Sequence, residues 1–432
     1  MRSNVRCLLT SVIGGGLWLT GCWLLTSGEA LAESKVAGRG DSSPIKVFNP
    51  RLLPGGDIPA VRTPLGIAND YKPWVVRLDG QALLMVAFCY GPLPGATGAD
   101  QDAYWERAVF WRSSDGGHSW GPRQERPDVP GREFSLNRLA DGTLIMLCHL
   151  LSRDATNRAG HSYSKVFRST DDGRTWSETR IGPEGFPPNP QTASDWTVVE
   201  VPDEDRPGKV MTMLGVSVQH GGKLAPAHVF LWRSRDSGRT WDKSLNPDTR
   251  GWIDVDGFFS QSTTYRCASG RLLHPVRVDR TGPHWKLPGA RNFEQEAGDQ
   301  GDRMMLWESI DNGRSWRRHR GHGTFGTYGE MYPRFLRLRD GRLLLTFTVR
   351  SNSTTDGHAL GLRAIISHDD GRSWDFTRDR LVIDAKNQGA SGGGFGNTIQ
   401  MDDGGLVSCY SYRGGDAKAH IEAIRWRLPW PK

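Results

Sequence analysis

The sequence has few cysteines for its length and no long cluster of basic residues. It contains 6 cysteines in 432 residues, and no two form a C-x-x-C pair, so neither a structural zinc site nor a disulfide-dense scaffold is indicated. The net charge is +7, but the basic residues are scattered, which argues against a nucleic-acid-binding arm. The chain also lacks a P-loop, an HExxH motif and a GxGxxG motif after a strand, so no cofactor and no metal ion are expected.

Long hydrophobic runs are confined to the N-terminus. Arg2 and Arg6 precede an apolar run that extends to Leu25, and an Ala-x-Ala pattern follows at residues 30–32. This order predicts that residues 1–32 are a secretory signal peptide, followed by a linker over residues 33–41. Alternatively, cleavage in a lipobox-like Leu-Thr-Gly-Cys stretch would anchor the protein through a lipid on Cys22. Either route leads to the periplasm or the exterior, and no later segment approaches the ~20 apolar residues of a membrane-spanning helix.

The chain is instead rich in glycine and tryptophan, and a repeat accounts for both. It has 53 Gly and 17 Trp, whereas Gly makes up about 7% of a typical protein. In the octapeptide S-x-D-x-G-x-S/T-W the Asp can accept hydrogen bonds from backbone N–H groups ahead of it, and the Gly supplies a positive φ. The Trp packs back over the hairpin, so each octapeptide is predicted to join two neighbouring strands. The five copies lie at residues 113–120, 169–176, 234–241, 309–316 and 367–374.

A second pattern, two apolar strands around a glycine turn, alternates with the octapeptide. Clear copies have their turn at Gly80, Gly142, Gly270, Gly341 and Gly404, and a weaker copy runs from residue 197 to residue 214. One unit is therefore strand, turn, strand, loop, strand, octapeptide, strand, which makes a four-stranded sheet. Six units predict an all-β fold, a six-bladed β-propeller with four-stranded antiparallel blades over residues 42–432. We expect Ile45–Phe48 to close the ring by pairing with the final sheet.

The octapeptides match the Asp-box, or BNR, repeat, so the chain resembles the sialidase (neuraminidase) superfamily over nearly the whole mature sequence. The resemblance implies the six-bladed propeller and an exo-α-sialidase-like glycosidase. It also implies a site away from the repeats, in which three Arg bind the substrate carboxylate. In that site a Tyr assisted by a Glu is the nucleophile and an Asp is the acid/base, which is an exception to the usual pair of carboxylates.

Basic residues fill the substrate-binding positions. The resemblance puts Lys72 where the family has its first Arg, matches Arg277 to the second, and leaves Arg334 or Arg350 for the third. Independently, Arg277, Arg350 and Arg413 each end the second strand of a hairpin at the same strand parity. Their side chains are therefore expected to face one side, towards the mouth of the propeller channel. Such a set suits an acidic ligand, although salt bridges between neighbouring blades are an alternative role.

Two positions depart from the family's catalytic pattern. Gln261 stands where the resemblance implies the Glu, and Phe395 stands where it implies the nucleophilic Tyr. Neither residue can take that role, because an amide is not a base and a phenyl ring has no oxygen. Together with Lys72 in place of an Arg, these departures favour a non-catalytic glycan- or protein-binding propeller as one interpretation.

Other residues supply candidates for the missing chemistry. Asp100 or Asp102, in the loop of the first blade, would fill the acid/base role, and Glu330 is an alternative carboxylate. Tyr332 lies beside Glu330 in the sequence, and a carboxylate next to a Tyr is a plausible acid/base pair. Further polar residues near the expected entrance are interpreted as structural or solvated: Glu133, His149, Asp195, Asp254 and Asp256.

Three functions stay open at this point, because a fold alone does not decide function. The first, which we favour, is a glycoside hydrolase that removes a terminal, acidic, sialic-acid-like sugar from glycans. The second is a polysaccharide lyase on the same scaffold, in which a Tyr or His abstracts the proton α to a uronate carboxylate. The third is the non-catalytic propeller. The expected partner is a glycan or acidic carbohydrate, with no nucleic acid and no transmembrane span.

Overall fold

Six antiparallel sheets surround a central channel and form a six-bladed β-propeller. The computed structural model describes residues 42–95, 104–150, 163–181, 190–220, 227–241, 254–255, 259–260, 262–278, 303–322, 325–326, 329–350, 360–384, 386 and 393–430. Within these residues every regular element is a strand, and none forms a helix long and apolar enough to cross a membrane. Neighbouring sheets contact one another in a closed order, from blade one to blade six and back. The predicted fold class is confirmed.

The first three strands belong to the last two blades of the ring, and blade one begins after them. The N-terminal strands are β1 (Ile45–Phe48), β2 (Asp57–Ile58) and β3 (Ala60–Leu65). Blade one contains β4 (Tyr71–Arg77), β5 (Leu83–Pro92), β6 (Tyr104–Ser113) and β7 (Gln124–Pro130). Blade two contains β8 (Arg132–Arg138), β9 (Leu144–Leu150), β10 (Tyr163–Ser169) and β11 (Ser177–Ile181).

In blades three and four the innermost strand is split into two pieces that pair with the same neighbour. Blade three contains β12 (Pro190–Ser194), β13 (Val199–Pro202), β14 (Val210–His220), β15 (Ala227–Ser234) and β16 (Asp254–Val255). Blade four contains β17 (Phe259–Ser260), β18 (Tyr265–Arg266), β19 (Leu272–Val278), β20 (Arg303–Ser309) and β21 (Arg317–Arg318).

The last two blades each take strands from the start of the chain. Blade five contains β22 (Glu330–Arg337), β23 (Leu343–Val349), β24 (Gly361–Ser367) and β25 (Arg380–Val382), and β1 and β2 extend its outer edge. Blade six contains β26 (Gly396–Gln400), β27 (Leu406–Arg413) and β28 (Ala419–Trp426), with β3 as its fourth strand.

The ring is closed by β3 and not by β1. β3 pairs antiparallel with β28, with Leu65 opposite Ile421 and Ala60 opposite Trp426. The expectation that Ile45–Phe48 pairs with the final sheet is therefore wrong, because β1 pairs with β25 of blade five. β25 has only three residues, and the segment after β1 is held beside it by Asp379, whose carboxylate accepts backbone N–H bonds from Leu52 and Leu53. Both strands protect an edge, but nothing local in their sequences specifies which edge.

The octapeptides form the folded turns that their residues predict. In the second copy the carboxylate of Asp171 accepts the backbone N–H of Thr175 at 2.9 Å and the hydroxyls of Ser169 and Thr175 at 2.7 and 2.6 Å. Gly173 has a φ of 75° and donates its N–H to Ser169 Oγ at 2.9 Å. The other four copies repeat the bonds of this Asp and this Gly.

Each octapeptide packs against the preceding blade, which fixes the order of the ring. A Cβ on Gly173 would meet Leu84 of blade one at 2.7 Å, and one on Gly238 would meet Ile145 of blade two at 2.5 Å. Trp176, which ends the second copy, stacks on Phe110 of blade one with an interplanar angle of 7°. The glycine is thus required by close approach as well as by its positive φ.

An apolar cluster extends from blade to blade and reaches the channel. It includes Trp74, Trp196, Tyr332 and Phe395, which come from blades one, three, five and six. Cys89, Cys148, Cys267 and Cys409 are buried and form no disulfide with one another, as expected of small apolar side chains. The core therefore supports the walls of the channel.

We predict that Asp171→Ala lowers the free energy of unfolding by about 2 kcal/mol, because the N–H and hydroxyl groups of the turn lose their shared acceptor. Chemical denaturation measures this change. The neighbouring Asp172 has a φ of 56°, which Asn also adopts, so Asp172→Asn is a matched control with an expected change below about 0.5 kcal/mol. Equal losses in the two variants would contradict the role of the octapeptide carboxylate.

Candidate active site at the channel mouth

Three innermost strands begin with the same irregularity, and it turns three side chains towards one another. The pairing register shifts between Tyr71 and Trp74 in β4, and equivalent shifts occur at the start of β8 and β22. Within the shifts, Lys72, Glu133 and Tyr332 have φ values of 52°, 56° and 58°. Left-handed backbone at such residues is strained, and strain of this kind clusters at functional sites.

One spacing in the sequence locates these positions. Each of them lies six residues before the residue whose backbone N–H closes the following hairpin turn. Proline follows Lys72 and Tyr332 and has no N–H for the ladder, which favours a bulge at that point. The same spacing also marks Gln261 and Phe395. The five positions are Lys72, Glu133, Gln261, Tyr332 and Phe395, and their turn residues are Leu78, Leu139, Cys267, Leu338 and Met401.

Aromatic rings form the floor of the mouth. The ring centroids of Tyr332 and Phe395 are 4.3 Å apart, and Trp196 is stacked beside Tyr332 at 5.9 Å with an interplanar angle of 8°. Tyr71 meets Phe395 edge-on at 5.5 Å. These residues come from blades one, three, five and six, so the floor exists only in the closed ring.

A buried ion pair crosses from blade one to blade two above this floor. The ammonium of Lys72 donates to the carboxylate of Glu133, and it lies 3.9 Å from the ring centroid of Phe395. Burial lowers the pKa of Lys72 to about 8 although Glu133 opposes the change. Burial also acts to raise the pKa of Glu133, but the charges of Lys72 and Arg132 outweigh it and hold that pKa well below its usual range.

The hydroxyl of Tyr332 is held by a cation. Arg277 donates from Nη1 to Tyr332 Oη at 2.7 Å, and its guanidinium carbon lies 5.4 Å from the centroid of the same ring. Both side chains are buried, with exposures of 8% for Arg277 and 3% for Tyr332. A guanidinium in this position stabilises negative charge that develops on the phenol oxygen.

The mouth carries more positive than negative charge among the described residues. Arg350 lies 5.2 Å from the ring centroid of Phe395, and the charges of Arg350 and Arg413 both act on Tyr71, whose pKa burial raises. Arg132 forms an ion pair with Glu106 at 3.2 Å. This excess favours an anionic ligand. The cations are Lys72, Arg132, Arg277, Arg350 and Arg413, and the carboxylates are Glu106 and Glu133.

Two of the residues proposed from the sequence lie away from this group. Arg334 is two residues further along β22 than Tyr332, deeper in the channel, where its guanidinium carbon is 3.5 Å from the ring centroid of Trp196. Glu330 forms an ion pair with Arg380 at 2.6 Å, and both side chains are almost completely buried. The carboxylate of Glu330 lies near Gly326, since a Cβ on that glycine would meet Glu330 Oε2 at 2.8 Å.

The remaining candidates lie outside the described residues or in other surroundings. Asp100, Asp102, Asp256 and Gln261 lie outside the described residues, and Asp254 is in β16. His149 is buried, and burial lowers its pKa to about 4.

Asp195 lies at the break between the two pieces of the innermost strand of blade three. Its carboxylate accepts hydrogen bonds from Ser262 and Thr264, and burial raises its pKa to about 7. Both donors belong to blade four, so this carboxylate links two blades.

Sequence reasoning missed the central role of Glu133 and Trp196. It assigned Glu133 to the solvated or structural residues, although the six-residue spacing puts it at the same level as Lys72 and Tyr332. Trp196 lies outside the octapeptides, in the break between β12 and β13, where the irregular spacing of blade three hides it. Counting back from each hairpin turn would have identified Glu133.

The comparisons with known proteins support the fold. No family model matches the chain, and no curated protein matches it. A protein of unknown function from Dyadobacter fermentans aligns with a TM-score of 0.57 at 15% identity, over 91% of this chain and 100% of that one. This match shows a shared fold over nearly the whole chain.

Sialidases are among the other propellers that the chain resembles. A Trypanosoma rangeli sialidase aligns with a TM-score of 0.46 at 14% identity, over 88% of this chain and 57% of that one. The NanB sialidase from Streptococcus pneumoniae aligns with a TM-score of 0.49 at 9% identity, over 84% and 70% of the two chains. Both TM-scores are below 0.5, so neither alignment decides the chemistry, which is argued from the site.

We predict that Glu133→Gln lowers the pKa of Lys72 below about 8, by about 1 to 3 pH units, because it removes the charge that opposes burial. NMR titration of protein labelled at the lysine ε-carbon measures it, with the resonance assigned by its loss in Lys72→Met. Glu330→Gln is the matched control, since Glu330 pairs with Arg380, and should leave the titration unchanged. An unchanged or raised pKa in Glu133→Gln would contradict the pairing.

Proposed function

We propose that the protein is a glycoside hydrolase that removes a terminal acidic sugar, of the sialic acid type, from glycans. One observation carries the proposal. The hydroxyl of Tyr332, bound by Arg277, lies at the mouth of a channel where cations outnumber carboxylates among the described residues. A phenol beside a guanidinium is suited to attack at a carbon that already bears a carboxylate, because a neutral group approaches without charge repulsion.

The substrate class follows from the charges and the aromatic floor. Lys72, Arg277, Arg350 and Arg413 are the cations proposed to bind the sugar carboxylate, because guanidinium and ammonium groups match it in charge and hydrogen bonding. The rings of Phe395 and Trp196 supply an apolar surface beneath. A pocket of this kind holds a small polar ligand by a few directed groups over an apolar base.

In the proposed reaction Tyr332 gives its phenol proton to a carboxylate and its Oη forms a bond to the anomeric carbon, while the bond from that carbon to the leaving-group oxygen breaks. The leaving oxygen takes a proton from an acid, for which Asp100 or Asp102, between β5 and β6 in the sequence, is proposed. Water then attacks the anomeric carbon and gives a proton to the same Asp, and the Tyr332 oxygen leaves and takes back its proton from the carboxylate, which releases the sugar.

Glu133, which lies beside Lys72 at the mouth, is proposed as the carboxylate that takes the proton of Tyr332. Glu330 is the alternative proposed from the sequence, although its ion pair with Arg380 holds it away from this group.

The first test is an assay on two substrate types. Purified protein is incubated with a fluorogenic α-sialoside and, separately, with a panel of uronate polysaccharides read by ultraviolet absorbance. Release of the fluorophore supports the hydrolase. An absorbance rise without fluorophore release contradicts it in favour of a lyase, and silence in both assays favours a binding propeller.

We predict that Tyr332→Phe lowers kcat by about 1,000-fold or more while KM changes by less than about 3-fold, because the ring still stacks but the attacking oxygen is gone. Steady-state kinetics on the fluorogenic substrate measure both constants. Tyr265→Phe is the control, since Tyr265 packs against Phe335 away from the mouth. Full activity of Tyr332→Phe would exclude Tyr332 as the nucleophile.

We predict that Arg350→Met raises KM for the acidic substrate by about 10- to 100-fold, because a charged hydrogen-bonding partner of the carboxylate is lost. The methyl ester of the same substrate carries no carboxylate charge, and its KM should change much less. Arg239→Met, at an exposed position of the third octapeptide, is the matched control with unchanged kinetics. An equal effect on acid and ester would argue against carboxylate binding by Arg350.

The lyase is a second candidate, favoured by the pKa of Lys72. An amine with a pKa of about 8 at 6.0 Å from the ring centroid of Tyr332 exchanges protons readily near neutral pH. In that reaction a base removes the proton α to a uronate carboxylate, the glycosidic oxygen leaves from the β carbon, and a double bond forms between the two carbons. Its unsaturated product absorbs in the ultraviolet, which the hydrolase product does not.

Export is part of the proposal. Residues 1–32 carry the basic, apolar and small-residue pattern of a secretory signal, and glycans accessible to such an enzyme lie outside the cytoplasm. Mass spectrometry of the mature N-terminus from the native host distinguishes cleavage after Ala32 from lipidation at Cys22, while an uncleaved chain in the cytoplasm would contradict export.

A further inference from the structure

One layer of the channel, below the mouth, is defined by a repeated strand position. Trp74, Ser135 and Arg334 each follow the bulge of their strand at the same pairing register, opposite Val86, Leu147 and Thr346. Because three blades repeat this geometry, the three side chains are expected at one level of the channel. Two contacts of Arg334 support this arrangement. Its guanidinium carbon lies 4.7 Å from the ring centroid of Trp74 on blade one and 3.5 Å from that of Trp196 on blade three. We call Trp74, Ser135, Trp196 and Arg334 the channel layer.

The channel layer presents buried hydrogen-bond donors that have no acceptor among the described residues. Arg334 is 3% exposed, and Nη1 donates to the carbonyl of Pro333 at 2.6 Å, but Nε and Nη2 have no partner there. Ser135 Oγ and Trp196 Nε1 are likewise buried and without a partner in the described part of the chain. Unpaired buried donors are uncommon in folded proteins, and each one calls for an explanation.

The charge of Arg334 is also uncompensated by any bonded carboxylate among the described residues. Glu133 and Asp195 act on it through space, but Glu133 is bound to Lys72 and Asp195 accepts bonds from Ser262 and Thr264. Burial lowers the pKa of Arg334 well below its usual value. A buried guanidinium that keeps its proton in such a place requires a negative partner.

Trp196 belongs both to the aromatic floor and to the channel layer, because its ring stacks with Tyr332 at the mouth and contacts the guanidinium of Arg334. Tyr332 precedes Arg334 by two residues on the same strand, and its ring packs against Phe395 and Trp196. A sugar bound at the mouth therefore lies above these rings. The partner of Arg334 must be small, and an anion suits the position, because the orphaned N–H groups of Arg334 and Trp196 need an acceptor and the buried guanidinium needs a negative charge.

We propose that the channel layer is a binding site for a small monovalent inorganic anion of halide size, held by Arg334 Nε and Nη2 with Ser135 Oγ and Trp196 Nε1 as further donors. The anion neutralises the buried guanidinium of Arg334, which extends from blade five to rings of blades one and three. The site is distinct from the substrate-binding cations of the mouth, so it does not depend on the proposed reaction.

Bromide is the probe for the site, because its anomalous X-ray scattering distinguishes it from water. Crystals of the purified protein are soaked in sodium bromide, and data are collected at the bromine edge. We expect an anomalous peak within hydrogen-bond distance of the Arg334 guanidinium. A channel that shows water there and no anomalous peak would overturn the proposal.

Thermal unfolding provides an independent test in solution. Chloride should raise the Tm of the protein in a saturable way, by about 2 °C, relative to gluconate at equal ionic strength, because gluconate is too large for the site. Arg334→Met should abolish the difference between the two salts, whereas Arg239→Met, at an exposed site, should keep it. An equal chloride effect in both variants would overturn the proposal.

A milder variant covers the case in which Arg334→Met fails to fold. Ser135→Ala removes one uncharged donor, so the chloride concentration at half-saturation should rise several-fold while the maximum Tm shift is retained. An unchanged half-saturating concentration would contradict the place of Ser135 in the channel layer, and the bromide experiment on the unmodified protein still decides the site.

Discussion

The pairing of β3 with β28 is the constraint on which the rest of the molecule depends. It joins Ala60–Leu65, near the start of the chain, to Ala419–Trp426, near its end, and converts a row of six sheets into a closed ring. An unpaired β28 would leave a strand edge open to other chains. The closure also has a chemical consequence, because Lys72, Tyr332 and Phe395 lie on blades one, five and six and meet only when the ring is complete.

The octapeptide turns hold neighbouring blades together and do not take part in the chemistry. Each octapeptide uses its own Asp, hydroxyl and Gly to fold the turn, and then packs that turn on the preceding blade. The final blade has no octapeptide, and other bonds attach it to the ring. Across its contact with blade five, the backbone N–H of Arg339 donates to Gln400 at 2.9 Å, and the hydroxyl of Thr348 donates to the carbonyl of Gly394 at 2.7 Å. The contacts that hold the blades together are thus separate from the mouth. The mouth residues can therefore be substituted without loss of these contacts.

One backbone feature carries different side chains to the same place. The bulge at the start of β4, β8 and β22 presents an amine at Lys72, a carboxylate at Glu133 and a phenol at Tyr332. Burial then changes what these groups can do: it brings the pKa of Lys72 to about 8, while the Lys72 and Arg132 charges keep Glu133 ionised. Two residues further along, the same register holds Trp74, Ser135 and Arg334, so a second polar level lies beneath the first.

The sequence by itself determined the architecture, because the octapeptide and the glycine-turn hairpin are local patterns whose bonds form within eight residues. It also named Lys72, Arg277, Arg350 and Tyr332 as candidates: the two arginines from strand ends, Lys72 from the family resemblance, and Tyr332 from its place beside Glu330. It did not determine that β3 rather than β1 closes the ring, because both are short strands and the choice lies in partners more than 300 residues away. Nor did it pair Glu330 with Arg380 or Glu133 with Lys72. Only the tertiary structure decided these, because a carboxylate takes its role from the cation that the other strands bring to it.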